Sequence, residues 1–228
     1  MKRGRIIVIE GTDCSGKETQ TSLLLHYLKR NGRKVERFCF PMYESPTGKI
    51  IGGDLLGKSY IGECIFKEGP VDVDPKVAAL YYAADRRYNI KMINDYLNAG
   101  YDIILDRYVE SNMAHQGAKI FDKEKRLELY NWLEKLEYDL LELPRPDLTI
   151  FLYMPASKVA ELKAIRSESE DEAEKKQEHI KNAENTYKEL SLIYNFITIN
   201  CTEENKIRNI EDINKEICQL VDNYMDGE

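Results

Sequence analysis

The chain has 228 residues, 43% hydrophobic and 32% charged. That length suggests one domain able to bury about 70% of its unfolded surface, and the composition excludes a disordered, collagen-like or membrane protein. Its 33 basic and 40 acidic side chains leave a net charge of −7, which argues against nucleic-acid binding but leaves room for one phosphate compound in a local basic pocket. No apolar run approaches the roughly 20 residues that span a bilayer, so no membrane association is expected, and Met1–Asp13 has too short an apolar stretch for a secretory signal. The five cysteines, Cys14, Cys39, Cys64, Cys201 and Cys218, form no C-x-x-C pair. Neither a zinc site nor a redox pair is indicated, unpaired thiols fit a reducing cytoplasm, and Cys39 and Cys218 read as small core residues.

Arg5–Ile9 is a continuous apolar run ending at Gly11, the pattern of a strand buried on both faces. Leu23, Leu24, Tyr27 and Leu28 recur at helical spacing up to Gly32. Val35–Phe40 predicts a second strand, followed by a Gly/Pro-rich loop from Pro41 to about Gly53. Pro75 opens a helix carrying Val77, Leu80, Tyr81, Ala84, Tyr88, Met92, Ile93 and Tyr96 and closing at Gly100. Asp102–Asp106 is a third strand, Lys123–Leu143 a helix, Leu148–Met154 and Phe196–Ile199 the fourth and fifth strands, and Ile210–Tyr224 the last helix. Strand alternating with helix predicts an α/β fold, a mainly parallel five-stranded sheet flanked by helices. No linker or repeat divides residues 1–228. The one composition shift, Ser167–Lys181, is almost wholly polar or charged and reads equally as a solvated helix face or as a lid, placed at about 163–181.

Gly11-Thr12-Asp13-Cys14-Ser15-Gly16-Lys17 fits G-x-x-x-x-G-K between a buried strand and a helix, the context a P-loop requires. Its backbone N–H groups, the helix N-terminus and Lys17 all favour phosphate. The next residue, where a Ser or Thr hydroxyl would meet magnesium, is Glu18, then Thr19. Thr19 cannot simply substitute, because one helical step turns the side chain by about 100°. Either the metal site is altered or Glu18 itself serves it. At the end of the third strand, Asp106 could hold magnesium through water and Arg107 could grip a phosphate bidentately.

The P-loop with Asp13 inside it, Phe40-Pro41-Met42-Tyr43, Tyr82-Ala83-Ala84-Asp85-Arg86 and the run from Asp106 to Lys119 together resemble the thymidylate kinase family, in order and spacing, from about residue 5 to the last helix. The resemblance implies a P-loop three-layer fold, phosphoryl transfer from ATP to dTMP giving dTDP and ADP in dTTP synthesis, magnesium, and a homodimer. It further implies that Asp13 accepts from the sugar 3′-hydroxyl, that Tyr82 stacks on thymine and that Arg86 meets a thymine carbonyl. Phe40 and Pro41 would wall the base pocket, and Arg107, helped by Tyr43, would hold the dTMP phosphate. Ser111 and Asn112 would read the base edge, His115 would lie under the sugar, and Gln116 would reach the pocket. Residues 11–19 would bind ATP, Lys17, Asp106, Arg107 and Arg166 would be catalytic, and Glu18 and Asp106 would serve the metal. Cys14 stands where family members often carry a P-loop arginine, which leaves that cation to the lid. Arg166 better matches the arginine that stacks on adenine, and Lys175 and Lys176 are point-charge substitutes. Alternatives are another nucleoside or nucleotide kinase of this fold, a nucleotide-binding protein without turnover, or a regulatory P-loop module.

Overall fold

The computed structural model describes residues 3–163 and 170–227, with the backbone alone for 160–163 and 170–177. Five strands, β1 (Ile6–Gly11), β2 (Val35–Cys39), β3 (Asp102–Asp106), β4 (Leu148–Tyr153) and β5 (Ile197–Asn200), form one sheet in the order β2-β3-β1-β4-β5. All its pairings are parallel. The helices are α1 (Lys17–Arg30), α2 (Pro46–Ile50), α3 (Pro75–Asn98), α4 (Val109–Gly117), α5 (Lys123–Glu134), α6 (Ala156–Lys163), α7 (Glu170–Ile193) and α8 (Ile210–Asp226). Wider π-helical turns extend α2 over Ile51–Leu55 and α5 over Lys135–Leu140. A short antiparallel pair, β6 (Thr202–Glu203) and β7 (Lys206–Ile207), precedes α8.

Strand side chains alternate between the two faces of the sheet, and β1 divides the core accordingly. Ile6 and Val8 join Ile93, Leu97, Tyr108, Leu129 and Phe151 on one side. Ile7 and Ile9 join Leu24, Leu28, Ile213, Ile217 and Val221 on the other. This is the three-layer sandwich expected of α/β alternation.

Two expectations change, and the face buried on α3 is set by tertiary packing. The stretch from Pro41 to Gly53 is not wholly loop: Ser45 accepts from the Gly48 N–H at 3.0 Å and caps α2. Asp85, buried on α3, accepts from the Met42 N–H at 2.8 Å and the Ser45 and Thr47 hydroxyls at 2.9 and 2.7 Å, so tertiary bonds hold a segment that lacks apolar periodicity. Cys39 is exposed, because it ends the edge strand β2, whereas Cys218 is buried. On α3 the conspicuous apolar stripe is outside: Val77, Leu80, Tyr88 and Met92 are exposed, while Ala79, Ala83, Asp85, Arg86, Asn89, Ile90 and Ile93 are buried. α4, α6 and α7 complete the fold. Of the charged stretch Ser167–Lys181, residues 167–169 lie outside the described residues, and Glu170–Lys181 is helical.

Candidate active site

The parallel register sets Asp106 beside Ile9, and the Arg107 N–H donates to the Ile9 carbonyl at 3.2 Å. The turn after β3 is thereby fixed against the loop after β1, at the carboxyl edge where ligands bind in such sheets. A Cβ on Gly11 would approach the Ser15 hydroxyl to 2.6 Å and the Leu152 carbonyl to 2.8 Å, so only glycine fits there. Gly16 leads into α1 at φ 85°, a left-handed conformation that glycine adopts without steric cost.

Lys17 is buried, and its Nζ donates to the Gly11 and Thr12 carbonyls at 2.9 and 2.7 Å and to the Ser15 hydroxyl at 3.4 Å. Burial, then the like charge of Arg107, lowers its pKa to about 8 against the opposing pull of Asp13, Asp106 and Glu10. The ammonium therefore remains charged at pH 7. Glu18 and Thr19 are exposed on the first turn of α1.

Arg107 has φ 67° and points its guanidinium into the site, where Nη2 donates to Asp13 Oδ1 at 2.6 Å and Nη1 meets His115 Nε2 at 3.0 Å. Burial and the Arg107 charge hold the His115 pKa well below its ordinary value. A neutral His115 accepts from Arg107 at Nε2 and carries its proton on Nδ1, which lies 3.3 Å from His179 Nε2. Tyr82, whose hydroxyl burial pushes up to about 12, feels the charges of Arg107, Arg86 and Asp13. Burial likewise raises Tyr43, which feels Tyr82 and Arg107. Asp13, Lys17, Tyr43, Tyr82, Asp106, Arg107 and His115 thus share one neighbourhood.

The remaining expected residues hold specific partners. Phe40 is buried against Tyr108 at 6.0 Å, with half-buried Pro41 following. Arg86 is buried and paired with Glu137 through Nε and, at 2.6 Å, through Nη2, while Nη1 reaches the Tyr108 carbonyl at 3.4 Å. Asn112 and Gln116 are buried, and each has a side-chain carbonyl oxygen without a hydrogen-bond partner. The Ser111 hydroxyl, expected at the base edge, instead donates to Glu10 at 2.5 Å and lies 2.9 Å from the Tyr187 hydroxyl. Buried Glu10 also accepts from the Tyr108 and Ser111 N–H groups at 2.8 and 3.1 Å, so it organises the turn that carries Arg107. Arg166 lies outside the described residues, as do the side chains of Lys175 and Lys176.

Sequence reasoning missed Glu10, Arg37, Asp85, Glu137 and His179. Arg37 donates to Asp106 Oδ2 at 3.0 Å and to the Thr21 hydroxyl at 2.7 Å. A charge inside an apolar strand was a usable signal for Glu10, because a buried carboxylate requires partners. Among the described residues, no cluster of three or more His, Cys, Asp or Glu could hold a metal ion alone. Asp106, whose Oδ2 accepts from Arg37 at 3.0 Å, and Glu18, exposed on the first turn of α1, each carry the carboxylate oxygens that a hard cation such as magnesium takes alongside waters and substrate phosphates.

Among the described residues no helix is long and apolar enough to cross a membrane. The family model for thymidylate kinase matches residues 9–217. Thymidylate kinase of Schizosaccharomyces pombe is 33% identical over 222 residues, covering 97% of this chain and 93% of that protein. A probable thymidylate kinase of Methanocaldococcus jannaschii is 31% identical over 218 residues, covering 95% of each. The structure of Candida albicans thymidylate kinase superposes with a TM-score of 0.73 at 27% identity, over 99% of this chain and 94% of that one. With the P-loop, the Asp106-Arg107 turn and the Tyr82–Arg86 helix segment meeting at one sheet edge, and with the match running nearly from end to end, this chain belongs to the thymidylate kinase family.

Proposed function

We propose that the chain transfers the γ-phosphoryl group of ATP to dTMP, giving ADP and dTDP. The observation that carries this is the Arg107–Asp13 contact of 2.6 Å, which joins an acceptor-phosphate arginine to the ATP-binding loop. A dTMP phosphate oxygen attacks Pγ, forming the new O–P bond as the bond from Pγ to the β-bridging oxygen breaks. The nucleophile is already anionic, so positioning and charge neutralisation dominate.

In this reading residues 11–19 cradle the ATP phosphates, and Lys17 exchanges loop carbonyls for phosphate oxygens. Arg107, with Tyr43 beside it, holds the acceptor phosphate, and Asp13 accepts from the 3′-hydroxyl. Tyr82 stacks on the base, Phe40 and Pro41 wall it, and Arg86 and Asn112 read its edge, with Gln116 behind them. His115 lies under the sugar, and Ser111 braces the turn through Glu10. Magnesium, when bound through Glu18 and Asp106, would neutralise phosphate charge. A lid in the stretch expected at about 163–181 would exclude water and Arg166 would stack on adenine, while the end of that stretch, where Ile180 is buried in the core and His179 meets His115, is a packed part of α7. The protein works in the cytoplasm as a homodimer, supported by the exposed apolar stripe Val77, Leu80, Tyr88 and Met92 on α3, a surface that a second copy would cover.

A coupled assay of ADP release across the common nucleoside monophosphates tests the reading. The expected order is dTMP first and dUMP weaker, since one methyl in an apolar pocket is worth about 1–3 kcal/mol. Equal turnover of AMP, GMP or CMP contradicts it.

A further inference from the structure

Glu137 belongs to no sequence motif, yet it is fully buried at the end of α5 and gathers two side chains from different helices. Its Oε2 accepts from Arg86 Nε. Its Oε1 accepts from Arg86 Nη2 at 2.6 Å and from Asn112 Nδ2 at 3.0 Å. Asn112 Nδ2 also donates to the Ala79 carbonyl at 3.1 Å. Both amide hydrogens of Asn112 are therefore placed on acceptors. A flipped amide would set its carbonyl oxygen against a carboxylate and a carbonyl, so the hydrogen-bond network fixes one orientation. Asn112 Oδ1 is left as a buried acceptor with no partner. The same carboxylate occupies the Nε–Nη2 edge of the Arg86 guanidinium and leaves Nη1, with its 3.4 Å approach to the Tyr108 carbonyl, as the loosely held donor.

One donor and one acceptor, oriented by a single carboxylate, complement a pyrimidine with a ring N–H next to a carbonyl, as in uracil and thymine. Cytosine presents the opposite pattern, an amino donor next to an unprotonated ring nitrogen. We propose that Glu137 is a specificity-determining positioning residue, which orients Arg86 and Asn112 so that the pocket accepts the N3–H and O4 edge of thymine and rejects cytosine. The inference rests on the dTMP kinase reading. A buried acceptor left facing another acceptor is costly, and sites built to hydrogen-bond a substrate discriminate far more strongly than apolar pockets do.

The test compares dUMP with dCMP, which share a sugar and phosphate and lack the methyl, in the wild type, Glu137→Gln and Glu137→Asp, with kcat and KM measured for each acceptor and for ATP. A glutamine cannot accept from both Arg86 and Asn112 without turning its own N–H groups against a donor. An aspartate keeps the charge for Arg86 in the core but withdraws it by one methylene. The expected result is a dUMP-to-dCMP ratio of kcat/KM that falls at least tenfold in Glu137→Gln and by a smaller factor in Glu137→Asp, with the KM for dTMP raised and that for ATP within twofold. In the Asn112→Ala background, Glu137→Gln should change the ratio much less, because neighbours acting through one another are not additive. An unchanged ratio overturns the proposal, whether in both variants or, should Glu137→Gln not fold, in Glu137→Asp alone. A ratio that falls by the same factor with and without Asn112 overturns it too. A wild type that does not phosphorylate dTMP refutes the underlying function instead, so the two failures are distinguishable.

Discussion

Arg107 Nη2 lies 2.6 Å from Asp13 Oδ1, so the turn after β3 and the P-loop after β1 are joined by a charged hydrogen bond at the sheet's carboxyl edge. The link follows from register, since Asp106 sits beside Ile9 and Arg107 must emerge next to the loop. An arriving acceptor phosphate would take over the Arg107 N–H groups, and Asp13 would turn to the sugar hydroxyl.

Arg107→Ala should lower turnover by about 10²–10³-fold, the usual cost of removing a donor aimed at transition-state charge. ATP affinity should stay within about twofold. Arg107→Lys should recover little, because an ammonium lacks the guanidinium fork. Steady-state kinetics with calorimetric titration of ATP checks this, and near-normal activity of Arg107→Ala would place the acceptor phosphate elsewhere.

Lys17, if it holds the ATP phosphates as proposed, should set a pH limit on nucleotide binding. Burial lowers its pKa to about 8, so the free protein carries this cation below that pH and loses it above. ATP affinity should therefore fall as pH rises from 7 to 9, and the limb should vanish in Lys17→Met, which binds more weakly at every pH. Calorimetry of ATP at several pH values reads this directly. A flat profile in the unsubstituted protein would show Lys17 to be charged throughout.

Glu18 is exposed on the first turn of α1, where a neutral hydroxyl usually stands beside the phosphates. Two unit charges about 4 Å apart interact by roughly 1 kcal/mol in water and by more in a partly dry site. Metal-free ATP should bind Glu18→Ser more tightly than the parent, whereas saturating magnesium should bring the two together, because the ion lies between the charges. Titration with magnesium and then with a chelator decides it, and equal metal-free affinities would mean that Glu18 faces away.

The α3 stripe predicts an oligomer. Leu80 and Tyr88 are 49% and 57% exposed, so Leu80→Glu and Tyr88→Glu should leave the fold intact while halving the mass seen by light scattering. An unsubstituted protein that is already monomeric at micromolar concentration would remove the dimer.

The sequence made contiguous features legible. The apolar run of β1, the P-loop and the Asp106-Arg107 pair each carry their meaning within a few residues, and the structure brings them together. It obscured features set by distant partners. Asp85 holds Ser45 across 40 positions and Glu137 holds Arg86 across 51, and neither spacing leaves a periodic trace. On α3 the apolar stripe marked the outer face, because the inner face also carries Asp85, Arg86 and Asn89, polar residues whose burial is offset by the Asn89–Asp85 hydrogen bond, the bonds of Asp85 to the Met42–Thr47 segment and the ion pair of Arg86 with Glu137. Cys39 showed the same limit, since a strand's sequence does not reveal that it lies at the sheet's edge.

Phosphoryl transfer itself is read most directly with γ-phosphate-labelled ATP, magnesium and dTMP. The account predicts that the label appears in dTDP, in step with ADP and dependent on dTMP. Label released as inorganic phosphate at the same rate with or without dTMP, or retained entirely in ATP, would contradict it.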